Sequence, residues 1–426
     1  MSKILIITYY WPPSGGAGVQ RWLKFSKFLP ESGYEPVILT VDEKQASYAQ
    51  LDFSLLQEVS PELKVYKTKT FEPYNLYRKL SAKKEIPYGG FSNQKKITLF
   101  DQLSRLIRGN LFLPDPRKGW NRYALQKALE LIRSEKIETV ITTGPPHSTH
   151  LIGRKIKEIT GIRWIADFRD PWTDIFYYKD LRHSYAASRY DAYLENKVLT
   201  GADKIITVSL EIGQLLQKKI PGTTDKIVVI PNGYDEDDFV NTEPLINESF
   251  TITYTGTISM SYRIDQFIEA VDQLPDPVKK KIKIRFVGNV PEEILNLFSL
   301  KNLSPMVEVL GYIPHDQAIR QMKGASILLM AIPDSPDNKG IVTGKFFEYL
   351  AARRPILAIG PLGGDVDIMV QKCRAGKLFY YNETEKIRQY ILEIFELQQN
   401  NVIWDETTGT EKFTRRNLTR ELTNNL

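Results

Sequence analysis

Residues 327–359 read ILLMAIPDSPDNKGIVTGKFFEYLAARRPILAI, and this stretch decides the fold. Two short apolar runs, Ile327–Ala331 and Pro355–Ile359, flank a segment with helical spacing over Lys345–Arg353. A strand, a loop, an amphipathic helix and a second strand are typical of a parallel sheet, because parallel strands need a crossover connection. The loop before the helix contains glycine, so its backbone N–H groups and the helix N-terminus favour an anion.

The same alternation extends over both halves of the chain and predicts an α/β protein. Helical spacing also occurs in Gly18–Leu29 and Ile264–Leu274. The other predicted strands are Lys3–Tyr9, Pro36–Val41, Thr139–Thr143, Arg163–Phe168, Lys204–Val208, Thr251–Tyr254, Ile282–Val287, Val307–Leu310 and Lys377–Tyr380. The turn-forming stretch Ile230–Tyr234 separates the halves, so we expect two Rossmann-like parallel-sheet domains facing each other across a cleft. The predicted domains are 1–230, 231–407 and a C-terminal helix in 408–426.

Composition excludes several classes of protein. The chain has 426 residues, of which 42% are hydrophobic and 25% charged, as in ordinary globular proteins. The single Cys373 excludes an internal disulfide and a multi-cysteine metal site. The N-terminal apolar run Ile4–Ile7 is too short for a signal peptide, and no run approaches the roughly 18 residues that span a bilayer. We expect a cytoplasmic protein.

An insertion at 68–118 interrupts the alternation and holds most of the excess positive charge. Residues 64–136 contain 17 Lys and Arg against 6 Asp and Glu. Within the insertion, apolar residues recur at helical spacing: Ile97, Phe100, Leu103, Leu106, Ile107 and Leu111. A basic amphipathic helix can lie in an anionic membrane interface, which predicts a peripheral contact through 95–113. A helix packed on its own domain, or a solvated basic surface, is the alternative. No nucleic-acid partner is expected.

A glycine loop, Pro12–Gly18, follows the first strand. Gly16 and Gly18 allow backbone N–H groups to approach a ligand at the start of the next helix. A dinucleotide fingerprint would require a third glycine at the position of Arg21. Asp42, near the end of the second strand, still leaves an NAD-dependent dehydrogenase open.

Two polar motifs follow later strands, at the edge where parallel sheets bind ligands. The first is Gly144–His150, in which we expect His147 to bind or orient a sugar or phosphate. The alternatives are a zinc site with His150 or a helix start without a role in the reaction. The second is Ala166–Trp172, where Asp167, Arg169 and Asp170 beside an exposed indole would suit a sugar. An ion-pair network among the three charged residues is the alternative.

The fourth motif, Asn338–Leu350, combines a glycine-containing loop with a helix start. The ammonium group of Lys345, the loop amides around Gly344 and the helix dipole suit a diphosphate. Glu348, one turn further along, could accept hydrogen bonds from two ribose hydroxyls. Alternatively, Thr343 caps the helix and Glu348 is merely exposed.

Together these motifs resemble the retaining glycosyltransferases of family 4, which have the GT-B fold. The most specific match is the block Lys345–Ala352 followed by Arg354–Leu357. The other matching features are the glycine loop, Ile230–Gly233 and Tyr254–Gly256. The resemblance implies that the last helix, about Phe413–Leu422, crosses back onto the first domain.

The resemblance also implies roles for single residues. The donor would be a UDP- or GDP-type nucleotide sugar, bound by Gly16, Gly18, Gly256, Gly344, Lys345 and Glu348. His147, Asp170, Lys345 and Arg263 would be catalytic, and Asp167, Arg169 and Trp172 would face a glycan or lipid-linked acceptor. Transfer would proceed with retention, without cofactor or metal, in bacterial capsule or O-antigen assembly. The triplet Asp365–Asp367 is interpreted as helix capping.

Two departures from the family pattern keep other functions open. Relatives often carry a glutamate where this chain has Gly340, and an arginine where it has Thr257. Only Arg263 is a cationic candidate near the latter position. A degenerate nucleotide-sugar-binding protein and a GT-B sugar-nucleotide epimerase are therefore alternatives.

Overall fold

A computed structural model describes residues 1–72, 106, 109–175 and 178–426. The chain divides into two compact units, one of Met1–Pro231 with Arg415–Leu426 and one of Asn232–Thr414. The units therefore change at 231/232 and 414/415, where the sequence predicts boundaries at 230/231 and 407/408. Most of the predicted membrane-contacting segment, residues 95–105 and 107–108, lies outside the described residues.

The first unit contains a parallel sheet of seven strands in the order β3-β2-β1-β4-β5-β6-β7. The strands are β1 Ser2–Ile7, β2 Tyr34–Val41, β3 Lys64–Thr68, β4 Thr139–Gly144, β5 Arg163–Phe168, β6 Lys204–Thr207 and β7 Ile227–Val229. The sequence does not predict β3 and β7. They are the two edge strands, so neither contains a buried residue; β3 carries two lysines, and β7 is only three residues long.

Several helices of this unit lie wholly within the described residues. They are α1 Ala17–Phe28, α2 Asn121–Ser134, α3 Ser148–Thr160, α4 Tyr185–Gly201, α5 Leu210–Lys219 and, at the C-terminus, the last helix Arg415–Thr423. Side-chain caps fix two of the starts, since the hydroxyls of Ser184 and Ser209 accept the N–H groups of Ala187 and Ile212.

The second unit contains a parallel sheet of six strands in the order β10-β9-β8-β11-β12-β13. The strands are β8 Phe250–Thr255, β9 Ile282–Val287, β10 Val307–Gly311, β11 Ile327–Ala331, β12 Ile356–Ile359 and β13 Gly376–Phe379. The helices are α6 Glu236–Val240, α7 Asp265–Asp272, α8 Asp276–Lys279, α9 Glu292–Leu300, α10 His315–Gly324, α11 Gly344–Ala352, α12 Asp365–Lys372 and α13 Thr384–Gln399. The prediction of two Rossmann-like parallel-sheet domains is confirmed.

The C-terminal helix α14, Arg415–Thr423, returns to the first unit and packs on α1. Leu418 and Leu422 are buried in one apolar cluster with Trp22 and Phe25 of α1. The predicted return of the last helix to the first domain is therefore confirmed.

The two sides of the segment 73–105 lie together in the first unit. Glu72 is buried, and its carboxylate accepts hydrogen bonds from the hydroxyls of Tyr9 and Ser47. On the far side, Arg117 Nη2 donates to the carbonyl of Ser47 at 3.3 Å. Gly119 passes so close to residue 71 that a Cβ there would lie 1.8 Å from that residue's carbonyl oxygen. Both flanks of the insertion are thus held at one place.

Within the described part of the chain, no helix is both long and apolar enough to cross a bilayer.

Candidate functional site

The glycine loop of the first unit is held open at the start of α1. Gly16 precedes α1 with φ of 90°, a conformation that L side chains rarely adopt. The loop is fixed to the segment around Gln50, because the N–H of Gly15 donates to the carbonyl of Gln50 at 2.9 Å. The backbone amides at the start of α1 are thereby held in place as potential anion donors.

Arg169 ties this loop to the end of β4. Its guanidinium donates to the carbonyls of Gly18 at 2.6 Å, Pro145 at 2.6 Å and Gly144 at 3.2 Å. A Cβ on Gly18 would lie only 2.9 Å from Arg169 Nη1. Glycine at position 18 therefore makes room for the guanidinium. Arg169 acts on the backbone of two loops, and its predicted contact with an acceptor stays a prediction.

Asp167 is fully buried at the end of β5 and forms an ion pair with Arg21 of α1. The Arg21 guanidinium donates to Oδ1 at 3.0 and 3.2 Å. Trp22 Nε1 and Thr143 Oγ1 donate to Oδ2 at 2.7 and 2.9 Å. These contacts favour the ion-pair alternative for Asp167, although its partner is Arg21 rather than Arg169. They also explain Arg21, which stands where a dinucleotide-binding fingerprint would have its third glycine: its guanidinium binds the buried carboxylate of Asp167.

Trp172 is 2% exposed, so the expectation of an exposed indole is wrong. The ring is buried because it stacks on His147, with centroids 5.0 Å apart, and because Nε1 donates to Asp191 Oδ1 at 2.9 Å. The indole thus packs against one face of the His147 ring and fixes its orientation. His147 itself is partly exposed, immediately before α3.

His147 and His150 lie together as neutral imidazoles. Burial holds the pKa of His147 well below its ordinary value, and the neighbouring His150 and Arg169 lower it further. Burial also lowers the pKa of His150 to about 3, while its Nδ1 is hydrogen-bonded to Thr142 Oγ1 at 2.9 Å. His147 Nδ1 has no hydrogen-bond partner among the described residues. A neutral imidazole can exchange hydrogen bonds with a sugar hydroxyl without adding positive charge.

Asp170 is partly buried and directly follows Arg169 after β5. Burial raises the pKa of its carboxyl above the ordinary value, and Arg169 opposes that rise. A carboxylate with a raised pKa at a strand end is a candidate for hydrogen bonding or proton transfer to a substrate hydroxyl.

Lys345 marks the candidate site of the second unit, in the first turn of α11. Its ammonium group lies 3.8 Å from the ring centroid of Tyr254 and 5.6 Å from that of Tyr262. It also donates a hydrogen bond to the Tyr254 hydroxyl, which in turn donates to the carbonyl of Thr257 at 3.1 Å. Burial lowers the pKa of Lys345 to about 7, and Glu348 opposes that fall.

The helix carrying Lys345 is fixed to the sheet by Tyr349. The Tyr349 hydroxyl accepts the N–H of Thr255 at 2.8 Å and donates to the carbonyl of Leu329 at 3.2 Å. Because those residues belong to β8 and β11, the start of α11 lies at the carboxyl end of two central strands. Gly256, at the end of β8, has φ of 95° and brings its backbone to the same edge.

Glu348 is partly exposed and contacts a histidine that the sequence analysis did not use. Its Oε1 lies 3.0 Å from Nε2 of His315, the first residue of α10. Thr343 stands at the N-cap of α11, but its hydroxyl makes no capping bond and has no partner among the described residues. The alternative in which Thr343 caps the helix is therefore wrong.

Arg263 lies at the same edge but is already paired. Its Nε donates to Asp265 Oδ1 at 2.9 Å, and its Nη1 donates to Asp334 Oδ2 at 3.3 Å. The side chain is 46% exposed, so it could exchange these partners for a phosphate at small cost. Its catalytic role stays a prediction.

In the Asp365–Asp367 triplet, interpreted from the sequence as helix capping, Asp367 bonds to the chain before α12, whereas the N-cap residue Gly364 makes no side-chain capping bond. Asp367 Oδ2 accepts the N–H of Gly363 at 2.7 Å, and Oδ1 accepts from Gln371 Nε2 at 2.7 Å. Among the described residues, no group of three or more His, Cys, Asp and Glu side chains is arranged to hold a metal ion.

Sequence reasoning missed the partners rather than the motifs. Arg21, Tyr262 and His315 act on predicted residues that are distant in sequence. For His315 one clue was available, because the chain has four histidines and this one follows Pro314, which lies in the loop after the predicted strand Val307–Leu310.

Two family models match the chain. Glycosyltransferase Family 4 matches residues 15–238, and Glycosyl transferases group 1 matches residues 235–408. No curated protein matches the chain in sequence.

Solved structures share its fold over almost its whole length. A glycosyltransferase from Rickettsia africae superposes with a TM-score of 0.62 at 15% identity, covering 99% of this chain and 97% of that one. Anabaena HepE in complex with UDP-glucose gives 0.62 at 13% identity, with 100% and 99% covered. The lipopolysaccharide outer core galactosyltransferase WaaB gives 0.58 at 12% identity, with 100% and 98% covered. At these identities the likeness concerns the fold alone.

The structural matches cover both units and agree with the two parallel sheets. The first family model covers more than half of the chain and includes Gly16, Gly18 and the His147 motif, while the second includes Lys345 and Glu348. The chain therefore belongs to glycosyltransferase family 4 and is a glycosyltransferase with the GT-B fold.

Proposed function

We propose that this glycosyltransferase takes its sugar from a UDP- or GDP-type nucleotide sugar bound at the start of α11. The observation that carries the proposal is the position of Lys345, whose ammonium group lies partly buried against the ring of Tyr254, near that of Tyr262, at the carboxyl edge of the sheet. Among the described residues no carboxylate accepts a hydrogen bond from this ammonium group, so removing it from water is costly, and an anionic diphosphate would offset that cost. Glu348, one turn along the helix, supplies acceptors for the ribose hydroxyls.

Transfer with retention and without a metal ion would rest on stabilising the departing nucleoside diphosphate. The positive charge of Lys345, the amides at the start of α11 and a repartnered Arg263 would balance the charge that develops on the leaving oxygen. Gly16 and Gly18 would bring further amides to the diphosphate. Lys345 and the start of α11 are already held by contacts within the second unit, whereas Arg263 would have to leave Asp265 and Asp334.

In the first unit, His147 and Asp170 would serve the transferred sugar and the acceptor. His147 is neutral and partly exposed, so it can hydrogen-bond a sugar hydroxyl and orient the ring. Arg169, Asp167 and Trp172 would act mainly by fixing the loops around it, because their polar groups are occupied within the protein.

The acceptor would be a glycan or a polyprenyl-linked sugar in bacterial surface polysaccharide assembly. The excess of Lys and Arg in 64–136 supports an anionic, membrane-linked acceptor at the cytoplasmic face. The shared fold with WaaB, named for lipopolysaccharide, agrees with this assignment without deciding it.

Nucleotide binding tests the donor assignment first. We would measure thermal stabilisation by UDP, GDP, dTDP, CMP and NAD and by the corresponding sugar nucleotides. A ligand at 100 times its Kd stabilises the native state by about 2.7 kcal/mol, which shifts Tm measurably. Stabilisation by one nucleoside diphosphate, lost in Lys345→Met and kept in the exposed Lys372→Met, is the expected result. Stabilisation by NAD alone would overturn the proposal.

Donor hydrolysis then tests retention and metal independence without a known acceptor. We expect slow release of free sugar, insensitive to EDTA, with the anomer of the donor appearing first in the NMR spectrum. The opposite anomer would contradict retention.

A non-catalytic nucleotide-sugar-binding protein is the second candidate. It is favoured by Gly340, which replaces an acid common among relatives, and by the double pairing of Arg263 with Asp265 and Asp334. Such a protein would bind the donor but show neither hydrolysis nor transfer.

A further inference from the structure

His315 and Glu348 form a contact between two helices at the candidate donor site. Nε2 of His315 lies 3.0 Å from Oε1 of Glu348. The histidine is the first residue of α10, and the glutamate lies in the second turn of α11. The two side chains are 52% and 29% exposed, so solvent reaches the pair, and so could a ligand.

The position of His315 follows from the packing of its own helix. Ile319 and Met322 of α10 are buried in the apolar cluster that also contains Phe346 and Phe347 of α11. His315 precedes Ile319 by four residues and therefore lies on the same face of α10, one turn nearer its start. Because this core fixes the turns of α10 that contain Ile319 and Met322, the imidazole of His315 lies on the side of α10 that faces α11.

The contact limits the freedom of the carboxylate. A glutamate side chain on a helix surface samples many rotamers, and ordering it on binding costs conformational entropy. A hydrogen bond between Nε2 and Oε1 selects rotamers that point toward α10. The other oxygen, and a lone pair on Oε1, stay available as acceptors. Two vicinal hydroxyl groups on a ribose need this bidentate arrangement.

We propose that His315 is a positioning residue that orients Glu348 toward the ribose diol of the donor. Through this contact, the pair discriminates ribonucleotides from their 2′-deoxy analogues. The inference rests on the proposed function, since it presumes that Glu348 accepts the ribose hydroxyls. His315, which lies outside the Lys345–Ala352 block, thereby becomes one of the residues that determine the specificity of the nucleotide site.

The test compares the Kd of the preferred nucleoside diphosphate with that of its 2′-deoxy analogue by calorimetry on the full chain. In His315→Leu, we expect the affinity for the ribonucleotide to fall about 3- to 10-fold, the range of one hydrogen bond. The affinity for the 2′-deoxy analogue should change less, so the ratio between the two falls. In His315→Gln, whose amide can donate in place of Nε2, the ratio should be largely restored.

Two matched variants separate the possible failures. Gln317→Leu changes an exposed polar residue of the same helical turn and should leave the ratio unchanged. Glu348→Gln should lower the ratio at least as much as His315→Leu. If Glu348→Gln lowers the ratio and His315→Leu does not, the positioning role is overturned while the ribose assignment stands. If neither lowers it, or if no nucleotide binds, the proposed donor site fails and the positioning role fails with it.

Discussion

Glu348 is the residue on which the nucleotide assignment can be judged most directly. Its carboxylate is partly exposed and already accepts one hydrogen bond from a neighbouring helix. Replacing Glu348 with alanine should weaken donor binding by about 1.5–3 kcal/mol, because charge-assisted hydrogen bonds to the ribose are lost. Calorimetric titration with the preferred nucleotide measures this loss. The exposed Glu396→Ala on α13 is the control, and an unchanged Kd for Glu348→Ala would show that the ribose lies elsewhere.

Lys345 should make diphosphate binding dependent on pH. Burial lowers the pKa of Lys345 to about 7 in the free protein, and the charged form is the one that attracts a diphosphate. Below that pH the charge is already present, whereas above it binding requires proton uptake. Affinity should therefore fall between pH 7 and 9, by at most tenfold per pH unit. The terminal phosphate, with a pKa of about 6, is already about 90% ionised at pH 7, so its own titration changes little over this range.

The pH dependence is measured as Kd at pH 7, 8 and 9. Lys345→Met should bind more weakly and lose the slope, whereas Lys372→Met, which changes an exposed lysine, should keep it. A slope that persists in Lys345→Met would assign the titration to another group.

Asp167 should be more important for folding than for transfer. In Asp167→Asn, the buried guanidinium of Arg21 loses its counter-charge, which costs about 3–5 kcal/mol. Denaturant unfolding followed by tryptophan fluorescence reports mainly on the first unit, which contains five of the six tryptophans. Glu158→Gln, which breaks only exposed ion pairs, should cost less than about 1 kcal/mol. Equal costs for the two variants would contradict the structural role of Asp167.

At this scale, the sequence predicts residues but not their partners. Lys345 and Glu348 are three residues apart on one helix, so local spacing is enough to associate them. The contact of Glu348 with His315 spans 33 residues, and that of Asp167 with Arg21 spans 146. Such contacts depend on how helices and strands pack, which no local pattern contains. The burial of Trp172 was mispredicted for the same reason, since His147 covers it from a different strand end.

Elements of secondary structure were predictable where they are buried. The central strands have continuous apolar runs, and the helices between them repeat at helical spacing, so the parallel sheets follow from the sequence. The edge strand β3, Lys64–Thr68, has lysines at positions 64 and 67 around Val65 and Tyr66 and lies within the basic region. Its pairing with β2 is set by the sheet rather than by its own composition.

The C-terminal helix α14 should stabilise the first unit although it is the last segment of the chain. Leu422 is fully buried against the α1 cluster. Leu422→Ala should lower the free energy of unfolding by about 2–5 kcal/mol, because it removes buried apolar surface and leaves a cavity. Unfolding monitored by tryptophan fluorescence measures the effect. Leu210→Ala, at an exposed position of α5, is the control and should cost far less; comparable losses would contradict the packing of α14.

For the molecule as a whole, membrane association can be separated from donor binding. Replacing 95–113 with a short Gly-Ser linker should abolish flotation with vesicles containing phosphatidylglycerol, because cations and apolar residues are removed together. Thermal stabilisation by the nucleotide should persist, since no donor-site residue lies in that segment. Unchanged flotation would remove the support for a membrane contact there. Equal flotation with neutral phosphatidylcholine vesicles would show that charge is not the cause.

Glu72 and Arg117, on the two sides of the insertion, both hydrogen-bond Ser47, and this arrangement affects which changes of the insertion the fold can tolerate. Residue 71, before the insertion, and Gly119, after it, lie side by side. The two ends of the insertion are therefore fixed close together. Lengthening a loop whose ends are already joined costs little, about 0.6 kcal/mol for each doubling. Inserted segments of different length or sequence could therefore occupy this position without disturbing β3 or α2. The same sugar-transfer core could thus carry a different insertion by exchanging one contiguous piece of chain.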